Sequence, residues 1–73
     1  MVFFFEKDTV ELQLETHFDP ATRIYTVIHR RSDGQVFTQE VLGEEPCRQV
    51  LRKIETDLEQ TGWRRSRSPE MLE

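Results

Sequence analysis

Cys47 is the side chain with the most direct chemical potential in this sequence of 73 residues. It lies beside Arg48 in the first turn of a predicted helix, where the dipole favours a thiolate that could act as a nucleophile or redox sensor. Cys47 also continues an apolar stripe, and a free cysteine behaves as a small buried hydrophobic residue. A single cysteine offers no resolving thiol, internal disulfide or cysteine-based zinc site. We therefore interpret Cys47 as a core residue.

The two histidines, His17 and His29, fall on neighbouring predicted strands, where a metal pair with Glu15 is conceivable. Metal sites usually need about three or four converging ligands at fixed spacing, and no closely spaced pair of histidines is present. Both histidines also lie at polar strand ends. We predict surface histidines, and neither a metal nor a cofactor.

Arginines cluster at both ends of the second predicted strand and in the C-terminal segment. They are Arg23, Arg30, Arg31, Arg64, Arg65 and Arg67. Such clusters can bind phosphates, and a three-stranded sheet can enter a major groove. The sequence pI of about 5.1 opposes that function, because nucleic-acid-binding domains usually have a pI above about 9. A nucleic-acid-binding regulator that uses these arginines is therefore the alternative hypothesis.

Motifs of the common enzyme classes are absent. The sequence has no glycine-rich phosphate loop, Gly-x-Ser-x-Gly or Ser-x-x-Lys. The 14 acidic residues make paired carboxylates uninformative, and one sheet with one helix cannot easily enclose the roughly 300 Å³ of a typical pocket. We predict that the protein is not an enzyme and has no catalytic residues.

Length and composition limit the chain to one small domain. It is 33% charged and 36% hydrophobic with a formal net charge of −4, a composition typical of a folded domain. No apolar run approaches the roughly 20 residues of a membrane span, and the N-terminal segment lacks the basic region of a signal peptide. Together with the lone cysteine, these features predict a cytoplasmic protein without membrane contact.

Three strands are predicted between residues 9 and 42. Thr9 to Phe18 alternates apolar and polar side chains, while Ile24 to Arg31 and Val36 to Leu42 are rich in β-branched and aromatic residues. Asp19-Pro20 begins a turn after the first of these strands, because proline presets φ and aspartate can accept a backbone N–H bond.

The hairpin at Ser32-Asp33-Gly34 fits two turn types. We favour a type I turn with a bulge at Gly34 over a type I′ turn at Asp33-Gly34. With the bulge, Tyr25 and Val27 share a face of the sheet with Phe37 and Val41. The apolar residues on the opposite face are then Ile24, Ile28, Val36 and Leu42.

A helix is predicted from Glu45 to Thr61. Its first turn is acidic and contains a proline, as suits a helix N-terminus. One face is an apolar stripe formed by Cys47, Val50, Leu51, Ile54 and Leu58. Gly62 occupies the position that ends a helix, and Trp63 is placed to pack back on Leu58.

The predicted fold class is α+β: a three-stranded antiparallel β-meander packed against one C-terminal α-helix, in the order β-β-β-α. Val2 to Phe5 forms either a short extra N-terminal strand or a hydrophobic flap. The domain covers residues 1–63. Residues 64–73 lack periodicity and are predicted to be a flexible basic tail, in which Leu72-Glu73 is compatible with the start of an expression tag.

Apolar side chains exceed what one helix can cover, because the second and third predicted strands carry them on both faces. Patches beyond a few hundred Å² usually mark interaction sites. The candidate interaction surface is Phe3, Phe4, Phe5, Ile24, Ile28, Val36 and Leu42. Either the N-terminal phenylalanines fold back over the second face, or a partner covers it. We favour a small interaction module that self-associates through its sheet as a homodimer.

Three segments together resemble a group of short bacterial proteins with no assigned function. These segments are Met1 to Asp8, the Asp33-Gly34 hairpin, and Cys47 to Trp63. The resemblance covers the chain from Val2 to Trp63. It implies one compact cytoplasmic domain and supplies no site residues.

Overall fold

The fold is a five-stranded antiparallel sheet with one helix against one face. The computed structural model describes the backbone of residues 1–70 and the side chains of residues 1–66. The elements are β1 (Val2–Lys7), β2 (Val10–Asp19), β3 (Ile24–Arg31), β4 (Val36–Leu42), α1 (Glu44–Gln60) and β5 (Arg64–Glu70). Their order across the sheet is β4-β3-β2-β1-β5. The α+β class is confirmed, whereas the three-stranded meander understated the number of strands.

The N-terminal segment is the strand β1, which lies between β2 and β5. Its register with β2 places Phe3 opposite Leu14 and Phe5 opposite Leu12. Because side chains alternate along a strand, Phe3 and Phe5 face the helix, while Phe4 lies on the opposite face. The phenylalanines therefore do not form a single patch, which corrects the candidate surface proposed from the sequence.

Residues 64–70, predicted as part of a tail, form β5 instead. This strand pairs antiparallel with β1, with Glu6 opposite Arg64 and Phe5 opposite Arg65, and with register shifts on either side of Phe4. Strand formation here follows from pairing with the backbone of a distant segment, which hydrophobic periodicity does not report. Residues 71–73, including Leu72-Glu73, lie outside the described residues.

The hairpin between β3 and β4 has the predicted bulge. The N–H of Gly34 donates to the carbonyl of Arg31 at 3.1 Å, the N–H of Arg31 donates to the carbonyl of Gln35 at 2.9 Å, and Gly34 has φ 98°. This is a type I turn followed by a left-handed residue. The faces predicted for Ile24 to Leu42 are therefore correct, with Tyr25 opposite Val41 and Ile24 opposite Leu42.

Helix α1 starts and ends one residue earlier than predicted. At its end, the N–H of Trp63 donates to Leu58 O at 2.9 Å and the N–H of Gly62 donates to Glu59 O at 3.2 Å. These are the two hydrogen bonds of a Schellman motif, so the predicted stop at Gly62 is confirmed. Lys7 Nζ donates to the carbonyl of Thr61 at 2.6 Å and ties β1 to the same helix end.

One contiguous core lies between α1 and the sheet. Its buried members are Phe5, Leu12, Leu14, Val27, Cys47, Leu58 and Trp63. Partly buried residues on the sheet and on the helical stripe pack around them, among them Phe3, Val41, Leu51 and Ile54. The three central strands and β4 all contribute, so this core depends on long-range pairing as well as on the helix.

We expect Phe5→Ala to lower the free energy of unfolding by about 3–5 kcal/mol, because it leaves a cavity in this core. Phe18→Ala is the matched control: Phe18 is half exposed and packs on Tyr25 with ring centroids 4.6 Å apart, which limits its cost to about 1 kcal/mol. Urea unfolding of both variants measures the difference, and equal costs would contradict the placement of Phe5.

Candidate interaction edge

Strand β4 lies at one edge of the sheet and is exposed on both faces. Val36 is 57% exposed, Phe37 59% and Leu42 68%. Of the strand's seven residues, only Val41 is partly buried. Large apolar side chains are thus concentrated on a strand that pairs with β3 alone among the described strands.

The backbone hydrogen bonds of β4 alternate in direction. Gln35 accepts from the N–H of Arg31 at 2.9 Å, and Gly43 donates to Arg23 O at 3.3 Å, one at each end of the ladder. Since every second pair of an antiparallel ladder is hydrogen-bonded, the odd-numbered residues of β4 bond to β3. The N–H and C=O groups directed away from the sheet belong to Val36, Thr38, Glu40 and Leu42. We call these outward groups the β4 edge.

The two edges of the sheet differ in their protection against pairing. Edge strands usually avoid association through charged side chains or proline. Strand β5 has the sequence Arg-Arg-Ser-Arg-Ser-Pro-Glu, which contains both. Strand β4, Val-Phe-Thr-Gln-Glu-Val-Leu, contains no proline and one charged residue, Glu40. The β4 edge is therefore the one that retains the chemistry needed to pair with another strand.

Two other residues of the predicted surface lie beside this edge. Ile24 and Ile28 are partly buried on the face opposite α1, which they share with Val36 and Leu42. Phe4 is on that face but is buried near β5. The candidate surface is therefore limited to a strip of residues along β3 and β4.

The structure adds Phe37, which was predicted to share a face with Tyr25 and Val27 and was not part of the predicted interaction surface. Its face is correct, but α1 does not extend over it. A groove of about 260 Å³ lies between β4 and α1, lined by Val27, His29, Phe37, Thr38, Gln39 and Ile54. This exposure follows from the width of the sheet: an α-helix is only about 10 Å wide, whereas five strands spaced by about 4.8 Å span about 20 Å. It could not be predicted from the sequence, because only three strands were predicted with certainty and three strands span only about 10 Å.

The arginines are divided between the two faces instead of forming one basic patch. Arg30 and Arg64 lie on the face opposite α1, and Arg31 and Arg65 lie on the helix face. Each has a carboxylate partner: Arg30–Glu15 at 3.7 Å, Arg64–Glu6 at 3.4 Å, Arg31–Asp33 at 3.1 Å and Arg65–Glu55 at 3.1 Å. Arg23 is in a turn with φ 60°, and the side chain of Arg67 lies outside the described residues.

Arg65 attaches β5 to the rest of the domain. Its guanidinium carbon lies 5.3 Å from the ring centroid of Phe3 and 5.9 Å from that of Phe5. It also bridges to Glu55 on α1 at 3.1 Å. Cation–π contacts of this kind hold a charge against an aromatic core. The structural role of Arg65 was missed because the sequence alone does not place the tail beside β1.

The two histidines lie on opposite faces of the sheet, so they cannot share a metal with Glu15. His17 Nε2 is 3.2 Å from Glu15 Oε2 on the outer face, whereas His29 packs edge-on against Phe37 with centroids 5.8 Å apart. Burial lowers the pKa of His29, and the nearby Arg31 guanidinium lowers it further. Within residues 1–66 no cluster of three or more metal-binding side chains is found.

Cys47 is buried in the core, as expected from the apolar stripe. Burial raises the pKa of its thiol. The fraction of thiolate at neutral pH is therefore smaller than for a free cysteine. This environment works against a nucleophilic role.

Comparisons with protein-family models, with curated proteins and with solved structures found no significant match. The resemblance to short bacterial proteins stays a prediction, because none of these comparisons bears on it. Over the described part of the chain, no helix has the length and apolar character that crossing a membrane requires.

The lowered pKa of His29 predicts a loss of stability in mild acid. An unfolded histidine protonates near its ordinary pKa of about 6.5, while folded His29 resists protonation, so protons favour the unfolded state as the pH falls. The free energy of unfolding that depends on neutral His29 is fully present above that pH, and it decreases as the pH drops toward the pKa of the folded state. Urea unfolding between about pH 7.5 and pH 5.5 measures the decline. His29→Gln should flatten it, and an unchanged slope would refute this assignment.

Proposed function

We propose that this protein is a small cytoplasmic interaction module that self-associates through the β4 edge of its sheet. Strand β4 combines outward N–H and C=O groups that have no partner among the described strands with exposed apolar side chains, and this combination supports the proposal. Val36, Phe37 and Leu42 are each more than half exposed. The free thiol of Cys47 fits the reducing setting of a cytoplasm.

Small size supports self-association. A chain of this length buries only about 60% of its unfolded surface and has a small stability margin. The described residues contain no disulfide, since Cys47 is free. Pairing along an edge strand adds hydrogen bonds and apolar burial without any change in the monomer fold. Association therefore supplies stabilisation that a single helix and sheet cannot.

The alternative, a nucleic-acid-binding regulator, has weaker support. Binding to a nucleic acid requires several basic side chains that face the same stretch of its phosphate backbone. Arg30 and Arg31 point to opposite faces of β3, and both are bridged to carboxylates. An enzymatic function that uses Cys47 has even less support, because burial raises the pKa of its thiol and so disfavours the reactive thiolate.

Light scattering after size exclusion tests self-association. Between about 10 μM and 1 mM, which corresponds to binding free energies of about −7 to −4 kcal/mol, we expect the mass to rise from the chain mass of 8.8 kDa toward twice that value. The double variant Val36→Lys/Leu42→Lys should remain monomeric, because it places charges along the β4 edge.

Gln49→Lys/Gln60→Lys is the matched control for two added charges, since both glutamines are exposed on α1. It should associate like the unmodified protein. A strict monomer over the whole concentration range would overturn the proposal. So would an association that the double variant leaves intact.

A further inference from the structure

The order of residues in β4 is nearly palindromic in polarity. Its seven residues are Val-Phe-Thr-Gln-Glu-Val-Leu. Two apolar residues stand at each end, and three polar residues stand in the middle, with Gln39 at the centre. Such a strand is complementary to itself when a second copy runs antiparallel beside it. Self-complementarity is what a twofold-symmetric interface requires.

Hydrogen-bond direction restricts how two copies can align. The outward groups belong to Val36, Thr38, Glu40 and Leu42, so each must face an outward group of the second copy. One copy can therefore shift along the other only in steps of two residues, and each step moves the centre of the alignment by one residue. The three alignments with the greatest overlap are centred on Thr38, Gln39 and Glu40.

Two of these alignments are unfavourable. With Thr38 at the centre, Val36 faces Glu40 of the second copy, and Phe37 faces its Gln39, so apolar side chains oppose polar ones. With Glu40 at the centre, the two Glu40 carboxylates face each other, which destabilises a strand pair. Both alignments also leave part of the strand unpaired.

The alignment centred on Gln39 pairs all seven residues. On the outer face Val36 packs opposite Leu42 of the second copy, and Thr38 lies opposite its Glu40, to which the threonine hydroxyl can donate. On the helix face Phe37 packs opposite Val41 of the second copy. Cross-strand pairs of this kind stabilise a sheet by about 0.2–1 kcal/mol each.

We propose that two copies pair along β4 with Gln39 on the twofold axis, forming a continuous ten-stranded sheet with both helices on the same face. This proposal rests on the self-association proposed above and specifies its geometry. In the dimer, the exposed side chains of Phe37 and Leu42 each gain an apolar cross-strand neighbour. The remaining edges of the joined sheet are the two β5 strands, whose sequence contains arginines and proline.

Disulfide trapping tests this alignment. Gln39 would face Gln39 of the second copy in a non-hydrogen-bonded pair, whose Cα atoms lie about 4.5 Å apart, within the range that a disulfide bridges. In a Cys47→Ala background with folding verified by circular dichroism, we expect Gln39→Cys to form a covalent dimer under mild oxidation. Its rate should exceed that of Thr38→Cys or Glu40→Cys alone by about tenfold or more.

The two slower variants become informative when mixed. Because Thr38 would face Glu40 of the second copy, a mixture of Thr38→Cys and Glu40→Cys should cross-link faster than either variant alone. If Thr38→Cys or Glu40→Cys cross-links fastest with itself, the alignment centred on Gln39 is wrong, while self-association stands. If light scattering shows a dimer that none of these variants traps, pairing through β4 is wrong. A strict monomer would overturn both proposals.

Discussion

One helix has to close the core of a five-stranded sheet, and the rest of the structure depends on this constraint. The helix packs through Cys47, Leu51, Ile54 and Leu58 against the central strands. A helix about 10 Å wide cannot also cover the edge of a sheet about 20 Å across. The side chain of Phe37 therefore stays exposed although it lies on the helix face.

The two edge strands meet this constraint differently. Arg65 attaches strand β5 to β1 and α1, because it contacts the rings of Phe3 and Phe5 and forms a salt bridge with Glu55 on the helix. The arginines and proline of β5 also discourage pairing with another chain. Strand β4 has neither form of protection. This difference between the two edge strands is the reason why we propose self-association through β4.

Local chemistry made much of this fold predictable from the sequence. The strands Ile24–Arg31 and Val36–Leu42, the bulge at Gly34 and the helix stop at Gly62 all depend on neighbouring residues, and the structure contains each of them. The outer edge strand β5 was missed because its pairing is long-range. For the candidate site, residue alternation correctly placed Val36 and Leu42, but it could not show how far the helix extends over Phe37.

Amide hydrogen exchange along β4, measured over a range of protein concentrations, tests whether two copies pair through the β4 edge. We expect the outward amides of Val36, Thr38, Glu40 and Leu42 to exchange rapidly in dilute solution and to become protected as the dimer forms. The inward amides of Phe37, Gln39 and Val41 should be protected throughout, because they bond to β3. Outward amides that exchange equally fast at every concentration, in a protein that light scattering shows to be dimeric, would contradict pairing through this edge.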